Sequence, residues 1–125
     1  YAHENGWKTQ TTDYLNSVKK TEQAFLEQGI KTDLIRPPYG KMSQQQAVQL
    51  TNKGYNVIMW DVLSMDYSKR ITPEWCFNRT IKDVQKGSII VFHDSVKASE
   101  NVQYVLPRLL EKFSKKGFMF KALPQ

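Results

Sequence analysis

The chain has 125 residues, 40% of them hydrophobic and 12% aromatic, and 18 Lys and Arg against 12 Asp and Glu give it a formal charge of +6. That length suits one domain or part of one, and that composition excludes an intrinsically disordered chain. No apolar run approaches the roughly 20 residues of a membrane span, and a lone Cys76 excludes an internal disulfide framework.

Helical and strand patterns alternate along the chain. Over residues 12–28, Leu15, Val18, Phe25 and Leu26 fall at helical spacing, with Thr12 or Asp13 as the expected cap and Gly29 as the stop. Residues 33–36 read as a short strand ended by Pro37 and Pro38, because proline cannot donate to a ladder. Ser43 is the expected cap of a second helix carrying Ala47, Val48 and Leu50, which Gly54 closes; residues 55–61 then read as a strand. Thr72-Pro73-Glu74 combines a hydroxyl cap, a first-turn proline and an acid near the positive end of the helix dipole, and predicts a helix to about Gln85, ended by Gly87. Residues 88–92, Ser-Ile-Ile-Val-Phe, lack polar alternation and predict a strand covered on both faces. The last helix is expected over residues 100–116, where Pro107 predicts a kink or a late start, and Gly117 precedes a final strand over residues 118–123.

The order αβαβαβαβ implies a parallel sheet, since each parallel step needs a crossover. In such folds ligand chemistry gathers at the carboxyl ends of the strands. Three ends here carry Arg36 to Gly40, Asp61 to Tyr67, and His93-Asp94. Arg36-Pro37-Pro38-Tyr39-Gly40 is a stiff loop able to aim a backbone N–H, or a stiff turn bearing a surface arginine. His93 is placed for acid or base work, or is a hydrogen-bonded strand-end histidine. Either Asp61 or Asp66 could orient it, and Asp66 could equally start a turn. His3 alone makes no metal site, because tetrahedral zinc catalysis needs three protein ligands. Cys76 is expected in the core, and Asn78-Arg79-Thr80 matches a glycosylation acceptor inside a predicted helix. Scattered basic residues, such as Lys19-Lys20 and Lys115-Lys116 on helix faces, argue against a nucleic-acid partner.

Taken in order, Arg-Pro-Pro-Tyr-Gly, an acidic Asp-Tyr segment and Ile-Val-Phe-His-Asp resemble the polysaccharide deacetylase (NodB-homology) family, carbohydrate esterase family 4, nearly end to end. The resemblance implies an α/β fold in which parallel strands alternate with helices as part of an irregular (β/α) barrel. It implies a metal-dependent hydrolase that removes N-acetyl or O-acetyl groups from a peptidoglycan-, chitin- or xylan-like polymer in the cell envelope. By position, His93 corresponds to the acid that protonates the leaving amine and Asp66 to its orienting partner. Arg36 corresponds to the residue that holds the family's base aspartate, and Tyr39 to the backbone donor to the oxyanion. Pro38, Tyr67 and Val91 correspond to substrate contacts, and His3 to one ligand of a divalent metal, usually zinc.

Two departures stand out. Leu63-Ser64-Met65-Asp66-Tyr67 replaces the family's Asp-x-x-Asp-Trp, and its Thr-Phe-Asp-Asp motif has no counterpart here. The chain is therefore expected to be a single partial deacetylase domain, extended upstream in the natural protein, inactive alone and prone to dimerise through uncovered strand edges. The other reading is a non-catalytic NodB-like domain that binds carbohydrate or serves as structure.

Overall fold

A computed structural model of the chain describes residues 2–123. It resolves into two compact units, one ending at Met59 and the other spanning Trp60–Leu123.

The first unit opens with a 3-10 turn, Gly6–Lys8, whose Trp7 N–H donates to the Asn5 side chain. Helix α1 spans Thr11–Glu27 and buries Tyr14. Its cap is Gln10, which makes no side-chain capping bond, so Thr12 and Asp13 do not cap it; Asp13 instead lies in the first turn, where its charge meets the helix dipole. Gly29, at φ 72°, ends it as expected: its N–H donates to Leu26 O and that of Ile30 to Phe25 O. Strand β1 is Leu34–Ile35, followed by a second 3-10 turn at Pro38–Gly40.

Helix α2, Gln44–Asn52, begins with a full capping box: Gln46 N–H donates to Ser43 Oγ and Ser43 N–H to Gln46 Oε1. Strand β2, Asn56–Val57, pairs in parallel with β1, Leu34 opposite Asn56. Buried Gln46 also donates through Nε2 to Gly6 O at 2.9 Å and Thr9 O at 3.1 Å. Gly6 N–H donates to Lys41 O, and a Cβ on Gly6 would stand 2.5 Å from that oxygen. The start of the chain is thereby tied to the segment after Pro38–Gly40.

In the second unit, strand β3, Val62–Leu63, pairs in parallel with β4, Ile90–Val91. Helix α3, Pro73–Asp83, starts where Thr72 Oγ1 accepts from Trp75 N–H. Helix α4, Ser99–Lys115, packs against α3. The buried apolar residues of this unit are Val62, Cys76, Val91, Ala98, Val105, Leu109 and Phe113.

Several expectations change. Residues 55–61 do not form one strand: the β1 ladder ends where Ile58 N–H donates to Ile35 O, and a new one begins where Asp61 and Val62 N–H donate to Ile89 O. The order is thus α1 β1 α2 β2 β3 α3 β4 α4. The strand expected over residues 88–92 contracts to Ile90–Val91, and α3 stops at Asp83, after which Gln85 N–H turns to Ser88 Oγ. Residues 118–123 form no strand, because Phe118 N–H returns to Phe113 O at the end of α4 and residues 119–123 pair with no described strand. Pro107 gives α4 no late start: it lies inside the helix, at an exposed position.

Candidate active site

The polar centre of the second unit is built around Asp66, which is fully buried. Its Oδ2 accepts from His93 N–H at 2.6 Å and its Oδ1 lies 2.7 Å from His93 Nδ1. A carboxylate on Nδ1 keeps the ring proton there and leaves Nε2 to face outward. Two residues beyond β4, the His93 side chain is 29% exposed, enough to meet a substrate while its inner edge is held.

The loop after β3 delivers Asp66 through a turn with Met65 at φ 63°. Asn101, buried at the start of α4, donates through Nδ2 to Asp66 O at 2.8 Å. Ser64 Oγ stands 2.9 Å from Asp66 Oδ1 and 2.8 Å from Val91 O. Cys76 Sγ donates to Ser64 O from α3, and burial first, with the Asp66 charge second, pushes its thiol up. The Tyr67 ring meets the His93 ring edge-on at 4.9 Å, and its hydroxyl donates to Met65 Sδ. Of the two acids expected to orient His93, Asp66 is its partner; Asp61, just before β3, instead accepts from Ile89 N–H at 2.8 Å and closes the β3–β4 sheet.

Arg36, Pro38, Tyr39 and His3 belong to the first unit. Within Pro38–Gly40, Gly40 and Lys41 donate their N–H groups to Pro37 O and Pro38 O, while that of Tyr39 meets no acceptor among the described residues. Tyr39 holds φ 58°, uncommon for a side chain of its size, and its ring is 62% exposed. The His3 ring stands edge-on to it at 4.8 Å. A cavity of about 330 Å³ is lined by His3, Glu4, Tyr14, Arg36 and Pro38 among others. Two side-chain atoms of these lining residues, Glu4 Oε2 and Tyr14 Oη, are buried with no hydrogen-bond partner among the described residues. Burial, and then the Glu4 charge, raise the Tyr14 phenol above its ordinary range.

A metal ion needs more than His3. No group of three or more His, Cys, Asp and Glu side chains gathers among the described residues, so these residues do not by themselves fit a tetrahedral centre. Sequence reasoning also missed Ser64, Asn101, Glu4 and Tyr14. For Ser64 a signal existed, because Ser-x-Asp is a spacing at which a side-chain oxygen can meet the backbone two residues on. Asn101 carried none, since only the tertiary fold brings it to Asp66.

No protein-family model matches the chain. Among curated proteins it is 26% identical over 126 residues to a peptidoglycan-N-acetylglucosamine deacetylase of Bacillus cereus, covering 99% of this chain and 46% of that protein. It is 32% identical over 101 residues to a chitooligosaccharide deacetylase of Sinorhizobium fredii, covering 73% of this chain and 46% of the relative. The chain thus spans about half the length of these relatives. A crystal structure of a peptidoglycan N-acetylglucosamine deacetylase superposes with a TM-score of 0.91 at 26% identity, over 99% of this chain and 58% of that one. The fold class is accordingly α/β, parallel strands alternating with helices as in part of the irregular NodB-type (β/α) barrel. By sequence and by fold the chain thus resembles, over nearly its whole length, the polysaccharide deacetylases, the NodB-homology group of carbohydrate esterase family 4.

Proposed function

We propose that the chain is part of a deacetylase domain that hydrolyses N-acetyl groups, or O-acetyl groups, on a carbohydrate polymer, and that it supplies the proton-donating side of that reaction. The observation that carries this reading is the buried Asp66 carboxylate gripping both the backbone N–H and Nδ1 of His93. An imidazolium held this way keeps its Nε2 proton pointed outward, toward the nitrogen that departs when the acetamide C–N bond breaks. Tyr67, whose ring meets that of His93, and Val91, whose carbonyl meets Ser64 Oγ, are assigned to substrate.

In the first unit the free Tyr39 N–H supports a role as donor to the developing oxyanion. Arg36 is assigned to hold a base carboxylate by a forked pair, and Pro38 to shape the acetyl-sugar contact. His3 is assigned as one ligand of a divalent metal, zinc first, completed by groups outside the described residues. Because the described residues hold no complete centre, negligible turnover is expected of this chain alone. Among the described residues each sheet has two strands, whose outer edges meet no further strand, and this supports self-association, to be checked by light scattering.

The relatives' names point to peptidoglycan or chitooligosaccharide as the polymer class. Acetate release from peptidoglycan, chitin oligomers and acetyl-xylan tests the reading, measured on the chain alone and on it joined to a complete deacetylase domain. Release by the complete domain that falls sharply on His93→Ala supports it. Binding without release in the complete domain assigns a carbohydrate-binding role instead.

A further inference from the structure

Ser64 is fully buried, and its hydroxyl has one proton but two acceptors in range: Asp66 Oδ1 at 2.9 Å and Val91 O at 2.8 Å. It can donate to only one at a time. Asp66 Oδ1 is the same oxygen that meets His93 Nδ1, so its demand for a second donor follows the charge on the imidazole.

With His93 protonated, the cation compensates the buried carboxylate and the Ser64 proton can rest on Val91 O. When His93 gives up its Nε2 proton, the carboxylate is left as an uncompensated buried anion, the costliest state in this cluster. A hydroxyl already within hydrogen-bond distance can then turn to it without any displacement of the backbone.

We infer that Ser64 is a positioning residue whose hydroxyl swings from Val91 O to Asp66 Oδ1 as His93 loses its charge, so that Ser64 eases proton release from the imidazole. No proton leaves Ser64; only its O–H torsion changes. The value of this device for catalysis rests on the acid role proposed for His93, but the device itself rests on the geometry.

The other titratable groups around the pair are accounted for. From α3, Cys76 is a thiol kept protonated by burial. From the loop after β3 comes the Tyr67 ring, with Lys97 Nζ 5.9 Å from its centroid. Asp94 is adjacent in sequence and exposed. None of these offers Asp66 Oδ1 a hydroxyl donor, so removing Ser64 leaves the carboxylate with fewer donors whenever His93 is neutral.

The test is a pH titration of the isotope-labelled chain by NMR, reading the His93 ring resonances and the Val91 carbonyl carbon. In Ser64→Ala the His93 midpoint should move upward by about half a unit to one unit, as expected of a lost hydrogen bond to an ion whose donor had a competing acceptor. An unchanged or lowered midpoint overturns the inference. If Ser64→Ala does not fold, the unsubstituted chain decides: the Val91 carbonyl should shift with the same midpoint as the His93 ring, and a flat response overturns the inference. Acetate release plays no part in this readout, so failure of the deacetylase reading and failure of the Ser64 device are distinguishable.

Discussion

The Asp66 cluster of the second unit and the cavity of the first treat buried polar atoms in opposite ways. Around Asp66 in the second unit, the buried groups are matched: the carboxylate has His93 and Ser64, the Asp66 carbonyl has Asn101 and the Ser64 carbonyl has Cys76. Around the cavity of the first unit, Glu4 Oε2 and Tyr14 Oη are buried with no partner among the described residues, Tyr39 keeps a left-handed backbone, and its N–H is unclaimed among them as well. A satisfied network holds one side chain in one orientation before anything binds. The Asp66 cluster is therefore organised by residues of its own unit, whereas the cavity side of the first unit presents hydrogen-bonding groups that no described residue uses.

Substitutions can break this contrast, and Asp66→Ala should do so most severely. It strips His93 of two bonds and leaves Ser64 with Val91 O as its sole acceptor of this pair. A loss of roughly 2–4 kcal/mol in urea denaturation is expected, together with loss of the ordered His93 ring in NMR. Gly6→Ala should come next, because the new Cβ meets Lys41 O and Met42 Cα, backbone atoms that cannot swing away. A cost of about 1–3 kcal/mol is expected in the same assay.

Deleting one hydroxyl from each unit sharpens the comparison further. Ser64→Ala removes a matched group and should cost about 1 kcal/mol, whereas Tyr14→Phe removes an unmatched one and should be neutral or stabilising. A clear loss of stability in Tyr14→Phe would show that its hydroxyl is satisfied in solution.

The smallest effect concerns alkaline pH. Burial, and then the hydrogen bond to Glu22, push the Tyr55 phenol up to about 12 from its ordinary value of 10.0. The folded state therefore holds this proton where the unfolded chain has released it. Stability should be fully present below pH 10 and fall as pH rises toward 12. Tyr55→Phe should flatten that fall, as read from denaturation midpoints on the two sides of pH 10.

Much of this arrangement was legible in the sequence where one local rule governs an element. Ser43 and Thr72 cap their helices through their own hydroxyls, Gly29 turns the chain at positive φ, and Ile90 and Val91 lie in a parallel strand. Failures fall where a partner distant in sequence decides. Residues 55–61 look continuous, but Asn56 and Ile58 donate their N–H groups to Asp33 O and Ile35 O whereas Asp61 donates to Ile89 O, a division between two ladders that no local pattern reveals. Phe118 has the composition of a strand residue, yet its N–H is taken by the carbonyl of Phe113. At the candidate site, the choice between Asp61 and Asp66 stayed open in sequence because both follow strands. Distances decide it: Asp61 accepts from Ile89 and Asp66 from His93. Ser64 and Asn101 became visible only once β3, β4 and α4 were brought together.

The most direct test of the account compares Asp66→Asn with Asp61→Asn in a catalytically complete deacetylase domain carrying this chain, reading acetate release as a function of pH. Asn at position 66 keeps the shape but removes the charge that supports protonated His93, so the rate should fall by about 10²-fold or more and the alkaline limb should move to lower pH. Asp61→Asn should leave the profile in place. An unchanged profile for Asp66→Asn would contradict the assignment of Asp66 and His93 as the proton-donating pair.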